Sequence, residues 1–263
     1  NEDSLQYHEN CFYNHIVDKC SICNKPLIDS YLVDSWNNKF HAHHKKECNS
    51  CNRIISDNTS NGGFYINTDR TICGICNKTI VKSNKDVMHC KKYVVELLEK
   101  MGFAGLSLDI PIQIVNQTVL CNLYSKSNCN SHRGLTHYEY EYNTHSKIIN
   151  EDSKENRIYI LDYLPEIEFL SILAHEYLHV WLNMNNLKFN STITEGFCQL
   201  GSALVYESNL TDFSKVKLYE MQENEDPDYG IGYNKMKNCL NEYKWEGLIE
   251  KILNDKELTC FYK

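Results

Sequence analysis

Large hydrophobic residues are sparse in the first third of the chain and periodic in the rest. Between residues 20 and 80 they amount to little more than Tyr31, Leu32, Trp36, Phe40, Ile54, Ile55, Phe64 and Tyr65. Such a segment cannot bury enough area to fold on apolar packing alone. Within it, Gly63-Phe-Tyr-Ile-Asn-Thr-Asp-Arg-Thr-Ile-Cys73 reads as a hairpin. From Lys91 onward, KKYVVELLEKMGF has helical spacing and Ile110-Pro-Ile-Gln-Ile-Val115 alternates like a strand. Residues 125–156 are polar and rich in Asn and Ser, a loop around the alternating Thr136-His-Tyr-Glu-Tyr-Glu-Tyr142. Alternation returns in Arg157-Ile-Tyr-Ile-Leu-Asp-Tyr163 and stops at Leu164-Pro165. Proline suits the first turn of a helix, where its missing N–H costs little. Two apolar helices are expected next, around Ile172–Leu182 and Thr194–Val205. The pattern predicts an α+β chain.

Composition and charge narrow the class. The 263 residues are 42% hydrophobic and 24% charged, enough for a sizeable core and unlike a disordered or collagenous chain. No apolar run approaches the roughly 18 residues of a membrane span, so a soluble chain with no membrane partner is expected. The net charge of −8 is uneven: residues 1–95 carry 12 Lys+Arg against 10 Asp+Glu, and residues 96–263 carry 15 against 25. Neither part offers the basic face that nucleic-acid binding uses, which excludes that partner. The chain opens NEDSLQYHENCF, with no Met and no leader, and reads as part of a longer polypeptide.

The cysteines explain the apolar-poor segment. Of the 13, six form three C-x2-C pairs: Cys20/Cys23, Cys48/Cys51 and Cys73/Cys76. Between the first two lies His41-x2-His44. Two residues between ligands make a tight knuckle that aims both side chains at one point, and thiolate and imidazole suit zinc. Four pairs give eight ligands and so two structural zinc ions, which supply folding free energy that the small core cannot. Sequential sharing of the pairs gives a LIM-type double finger, and alternating sharing gives a cross-braced RING-type finger; the hairpin before Cys73 favours LIM. His8-x2-Cys11 looks like the closing half of an earlier finger, where a further ion would need an upstream pair. His89 and Cys90 are adjacent and form no comparable bite. The expected organisation is therefore the tail of a preceding finger over 1–15, a two-zinc module over 16–90 and a larger domain over 91–263. Thiol-rich clusters imply a reducing, cytoplasmic setting.

The decisive motif is Ile172-Leu-Ala-His175-Glu176-Tyr-Leu-His179-Val-Trp-Leu182. Histidines four apart project from one face of a helix, and the Glu beside the first can reach a metal-bound water without ligating the metal. A catalytic zinc takes three protein ligands and a water. Glu195, in Thr194-Glu-Gly-Phe-Cys-Gln and 16 positions after His179, is the candidate third ligand. The alternative is a carboxylate that merely favours a helix N-terminus. Cys198, one turn on, reads as core.

With these residues in place, the chain resembles the ubiquitin-activated LIM-domain zinc peptidases of plants, the DA-one family of organ-size regulators. The resemblance runs through His8-x2-Cys11, the four ligand pairs, SILAHEYLHVWL, EGFCQ, Arg133-Gly-Leu135 and Tyr229-Gly-Ile-Gly-Tyr233. It implies a LIM finger, a LIM-like finger and a gluzincin-like peptidase domain. His175, His179 and Glu195 would hold the catalytic zinc and Glu176 would be the base. Protein substrates and ubiquitin-pathway partners are implied too. Tyr177 stands where plant members commonly have Met, and the composition is unlike that of a plant protein.

The expected activity is that of an endopeptidase: water activated by the metal, Glu176 as base and the fingers serving recognition or regulation. Tyr229 and Tyr233, on a glycine-hinged loop, are candidate donors to the oxyanion. Arg157–Tyr163 is expected to be the edge strand that pairs with extended substrate. Two rivals stand beside this reading: a non-catalytic scaffold, and a ubiquitin-ligase module if the fingers are cross-braced.

Overall fold

The structure, a computed structural model, describes residues 7–67, 69–124, 132–139, 142–143, 148–149, 155–254 and 258–262. It divides into two units, Asn1–Ile80 and Val81–Lys263. The division falls ahead of the 90/91 boundary expected from the sequence, because one continuous helix, Asn84–Lys100, spans that point.

The first unit holds short elements: α1 Glu9–His15, β1 Tyr31–Val33, β2 Lys39–His41, α2 Asp57–Ser60, β3 Gly63–Tyr65, β4 Thr71–Cys73 and α3 Gly74–Asn77. Strands β1 and β2 form one antiparallel hairpin and β3 and β4 another, the latter where the sequence predicted it. The apolar core is small: Leu27, Phe40 and Ile54 packed around Cys20. Two knuckles repeat one geometry. Asn24 N–H donates to Cys20 O and Asn52 N–H to Cys48 O, both at 2.9 Å. Both asparagines sit at φ +58°, a left-handed conformation that Asn tolerates better than most side chains.

The second unit mixes helix and sheet. Its helices are α4 Asn84–Lys100, α5 Gln117–Tyr124, α6 Glu166–Met184, α7 Ser191–Ser208, α8 Asp212–Gln222 and α9 Gly232–Asn254. Its strands are β5 Ile112–Val115, β6 Gly134–Glu139, β7 Tyr142–Asn143, β8 Ile148–Ile149 and β9 Glu155–Leu161. Helix α6 is buried on nearly every face, with Pro165 as its N-cap. Phe103 packs edge-on against Trp181 and Trp245 at centroid distances of 5.2 and 5.5 Å. Cys121 is disulfide-bonded, whereas the other described cysteines are free thiols. No helix among the described residues is long and apolar enough to cross a membrane.

One expectation is overturned. The sheet order is β5-β9-β6, so Arg157–Tyr163 lies largely in the central strand, not at an edge. Strand β9 pairs in parallel with β5 and antiparallel with β6, which uses both of its backbone edges. The edge strand beside α6 is β6, drawn from the polar middle segment that reads as loop in the sequence. Its alternation was legible, but its partner strand begins 16 positions after it ends, across an Asn-rich stretch with no periodicity of its own.

Candidate active site and metal centres

In the first unit the ligand pairs converge in sequence order. Cys20, Cys23, His41 and His44 form one cluster and Cys48, Cys51, Cys73 and Cys76 another, and each set can hold a metal ion. This is the sequential sharing of a LIM-like double finger, not cross-bracing. Cys20 Sγ lies 3.3 Å from His44 Nδ1, and Cys23 Sγ lies 3.6 Å from His41 Nδ1. Burial raises the Cys20 thiol, but backbone N–H groups of Cys23, His41 and Ile22 and the His44 imidazole more than offset it, bringing its pKa to about 5. In the all-cysteine cluster, hydrogen bonds from Cys51, Cys73 and Cys76 drive Cys48 far below the thiol range, while Cys51 is driven up. A divalent cation would relieve that conflict by holding all four as thiolates. His8 and Cys11 are exposed and belong to no such cluster among the described residues.

In the second unit, α6 and α7 bring His175, His179 and Glu195 together. The two Nε2 atoms lie 3.1 Å apart. Glu195 Oε2 sits 3.2 Å from His175 Nε2 and 3.5 Å from His179 Nε2. It is buried, and no hydrogen bond to it has normal geometry. Three donor atoms that face one point without pairing well with each other fit a cation: two nitrogens on a tetrahedral zinc are about 3.3 Å apart. Burial would raise the Glu195 carboxyl, but the two imidazoles hold it well below the usual range. Burial likewise opposes the charge on His179, and Cys198, Glu195 and Glu176 raise its pKa nonetheless. Asn190 caps α7 through Ile193 N–H, so the helix starts ahead of Thr194 and Glu195 lies in its second turn.

Glu176 is held from strand β6. Thr136 Oγ1 lies 2.8 Å from Glu176 Oε2. Gly134 gives the carboxylate room: a Cβ there would fall 2.5 Å from Glu176 Oε1. Glu176 and His175 line a cavity of about 500 Å³, together with Tyr124, Arg133, Gln199 and Tyr229 among others.

The structure separates the two tyrosine candidates. Tyr229 stacks on His175 at 6.3 Å and 24°. Burial first, then the charges of Glu195 and Glu176, push its pKa far up. Tyr233 is fully buried in the core, where its hydroxyl accepts from Lys237 Nζ at 3.1 Å. The glycine-hinged loop expected from sequence is instead a wide helical turn, Pro227–Ile231, leading into α9. Tyr177 also faces the core and donates to Ser107 O. Cys198 is buried as expected, its thiol pushed up to about 11 by burial against the pull of His179.

Sequence reasoning did not single out Thr136 or Tyr124. Tyr124 donates to Gly134 O at 2.9 Å and so ties α5 to the strand beside Glu176. A hydroxyl two residues beyond Arg133-Gly134 was visible, but nothing local tied it to a helix 40 residues away.

A family model described as "DA1-like: Protein DA1" matches residues 111–218, which include β6, α6 and α7. Residues 111–218 are thus similar to the DA1-like family. Similar proteins include Protein DA1-related 2 of Arabidopsis thaliana, 25% identical over 78% of this chain and 45% of that protein. Protein DA1 of the same plant is 23% identical over 94% of this chain and 58% of its own length. LIM domain-containing protein HDR3 of Oryza sativa subsp. japonica is 23% identical over 78% and 47% respectively. The chain thus spans about half the length of the curated relatives it matches. No solved structure matches it.

Proposed function

We propose that this chain is a zinc-dependent endopeptidase in which His175, His179 and Glu195 hold the ion and Glu176 is the general base. The observation that carries this reading is the meeting of those three donors within 4.8 Å of one another, beside a cavity that His175 and Glu176 line. A bound zinc would supply Lewis acidity toward water and a scissile carbonyl.

Glu176, oriented by Thr136, takes the proton of the attacking water and passes it to the leaving amine. Tyr229 keeps its proton at neutral pH and donates it in a hydrogen bond to the developing oxyanion. Strand β6, the sheet edge next to α6, is the element for an extended substrate to pair with. The LIM-like fingers recruit or regulate protein partners, including those of ubiquitin signalling. A ligase module would call for cross-braced fingers, and the sequential pairing argues against it.

Elemental analysis and a cleavage assay test the reading together. Three zinc ions per chain are expected, with Glu176→Gln keeping all three and losing cleavage, and His175→Ala losing about one. Cleavage by Glu176→Gln at the wild-type rate would remove Glu176 as the base. An unchanged zinc count in His175→Ala would remove the ligand set.

A further inference from the structure

The cavity continues along α6 toward its N-terminus, past the residues assigned to chemistry. Glu168, Ile172 and His175 recur along one face of that helix, and all three line the cavity. Glu168 is only 5% exposed. Its Oε1 lies 3.5 Å from Arg133 Nε. Its Oε2 is sealed from bulk water and has no hydrogen-bond partner among the described residues. A buried carboxylate oxygen without a donor is strongly unfavourable.

Neighbouring donors are committed elsewhere. Ser202 Oγ donates to Ser171 O at 3.1 Å, and Lys217 Nζ is held by Glu220 at 2.9 Å. Along the cavity lining the acids Glu168, Glu176, Glu220 and Asp226 outnumber the bases Arg133 and Lys217. Ile172, Met221 and Tyr206 supply apolar wall between them. Such a surface suits a side chain with an apolar stem and a cationic tip.

We propose that Glu168 is the floor of a specificity subsite that takes the side chain of a lysine or arginine next to the scissile bond. The proposal rests on the peptidase reading above. Reach decides between the two cations that a peptide can offer. Seven residues of helix from Glu168 to His175 advance about 10 Å. An extended lysine or arginine side chain covers about 6 Å, and a hydrogen bond adds about 3 Å. The α-amine of a residue at the scissile bond lies only about 2.5 Å from its carbonyl carbon, and falls short.

The test uses the full chain and N-acetylated alanine-based nonapeptides with a central Arg, Lys, norleucine or Glu. Binding is read by fluorescence anisotropy on Glu176→Gln protein, which separates recognition from turnover. Arg and Lys peptides are expected to bind about tenfold tighter than norleucine, and adding Glu168→Gln is expected to abolish the difference. Glu168→Asp, which keeps the charge and shortens the reach, should retain part of it. Equal affinity for Arg and norleucine peptides in the parent protein overturns the subsite whatever the variants do. A preference that survives Glu168→Gln overturns it as well.

The same peptides offered to the wild-type chain keep the two readings apart. Cleavage beside Arg and Lys supports both. Cleavage without that preference overturns the subsite and leaves the peptidase. Selective binding without any cleavage supports the subsite and overturns the peptidase. If peptides with free amines bind better than acetylated ones while side chains make no difference, the cation recognised is the α-amine and the assignment fails.

Discussion

Thr136 Oγ1 lies within hydrogen-bond distance of two atoms of Glu176: the carboxylate Oε2 at 2.8 Å and the backbone carbonyl at 3.0 Å. One hydroxyl on strand β6 thereby sets both the height of the strand against helix α6 and the rotamer of the carboxylate that the helix presents. In the proposed mechanism Glu176 takes and returns a proton, and a group with that role benefits from being held in one orientation before substrate arrives.

Replacing Thr136 tests that coupling. Thr136→Val keeps the shape and removes the hydrogen bond to a charged group, so kcat should fall about tenfold or more with KM little changed. Thr136→Ser should restore most of the rate, because it returns the hydroxyl without the methyl. Peptide hydrolysis rates for the three proteins, with melting curves as a folding control, check this. Equal rates in the Val and Ser variants would leave the hydroxyl without a role in orienting the base.

Gly196 and Gly232 make the second coupling. A Cβ on Gly196 would fall 2.5 Å from the backbone carbonyl of Gly232, and one on Gly232 would fall 2.5 Å from Thr192 O. The contact brings the turn bearing Tyr229 against the helix bearing Glu195. Gly196→Ala and Gly232→Ala should each destabilise the chain by about 1–3 kcal/mol through overpacking. Because both insert atoms into one contact, the double variant should cost less than the sum. Urea unfolding of the four proteins measures the cycle, and two neutral single variants would show that the helices can separate freely.

The start of α4 carries a pH dependence. Ser83 Oγ accepts from Asp86 N–H, and Asp86 accepts from the N–H groups of Ser83 and Lys82. The hydrogen bond from Ser83 N–H, foremost, holds the Asp86 carboxyl below the usual carboxylate range. A carboxyl with a lowered folded pKa stabilises fully above its unfolded pKa of about 3.9 and loses that contribution as pH falls through the folded value. Ser83→Ala should weaken the cap by about 1 kcal/mol at neutral pH. Asp86→Asn should loosen the first turn at pH 7 and differ little from wild type in acid. Amide exchange over residues 84–88 reads this locally, and a pH-independent difference would rule out the ionised cap.

How much of this was legible in the sequence depends on how local each signal is. The knuckles at Cys20, Cys48 and Cys73 are set by two-residue spacing, and the cluster of His175 with His179 by one helical turn. Glu195 could be chosen because a helix beginning nearby must return past α6. Strand order had no such local mark: Arg157–Tyr163 alternates as any half-buried strand does, and only the pairing of β6 and β5 on its two sides made it central. Tyr229 and Tyr233 looked equivalent, four residues apart. The wide turn Pro227–Ile231 changes the rotation per residue, so one ring reaches His175 and the other enters the core.

The sequence by itself determined the donor chemistry: which residues can bind a cation, and in which pairs, because ligand spacing within a turn is a property of the local chain. The tertiary structure decided what surrounds those donors. Thr136, Gly134 and Tyr124 come to Glu176 from a separate strand and helix, and Glu168 is left with an unpaired oxygen at the far end of the same cavity. Each of those relationships joins segments far apart in the chain or depends on what no neighbour supplies, and only the packed fold fixes either.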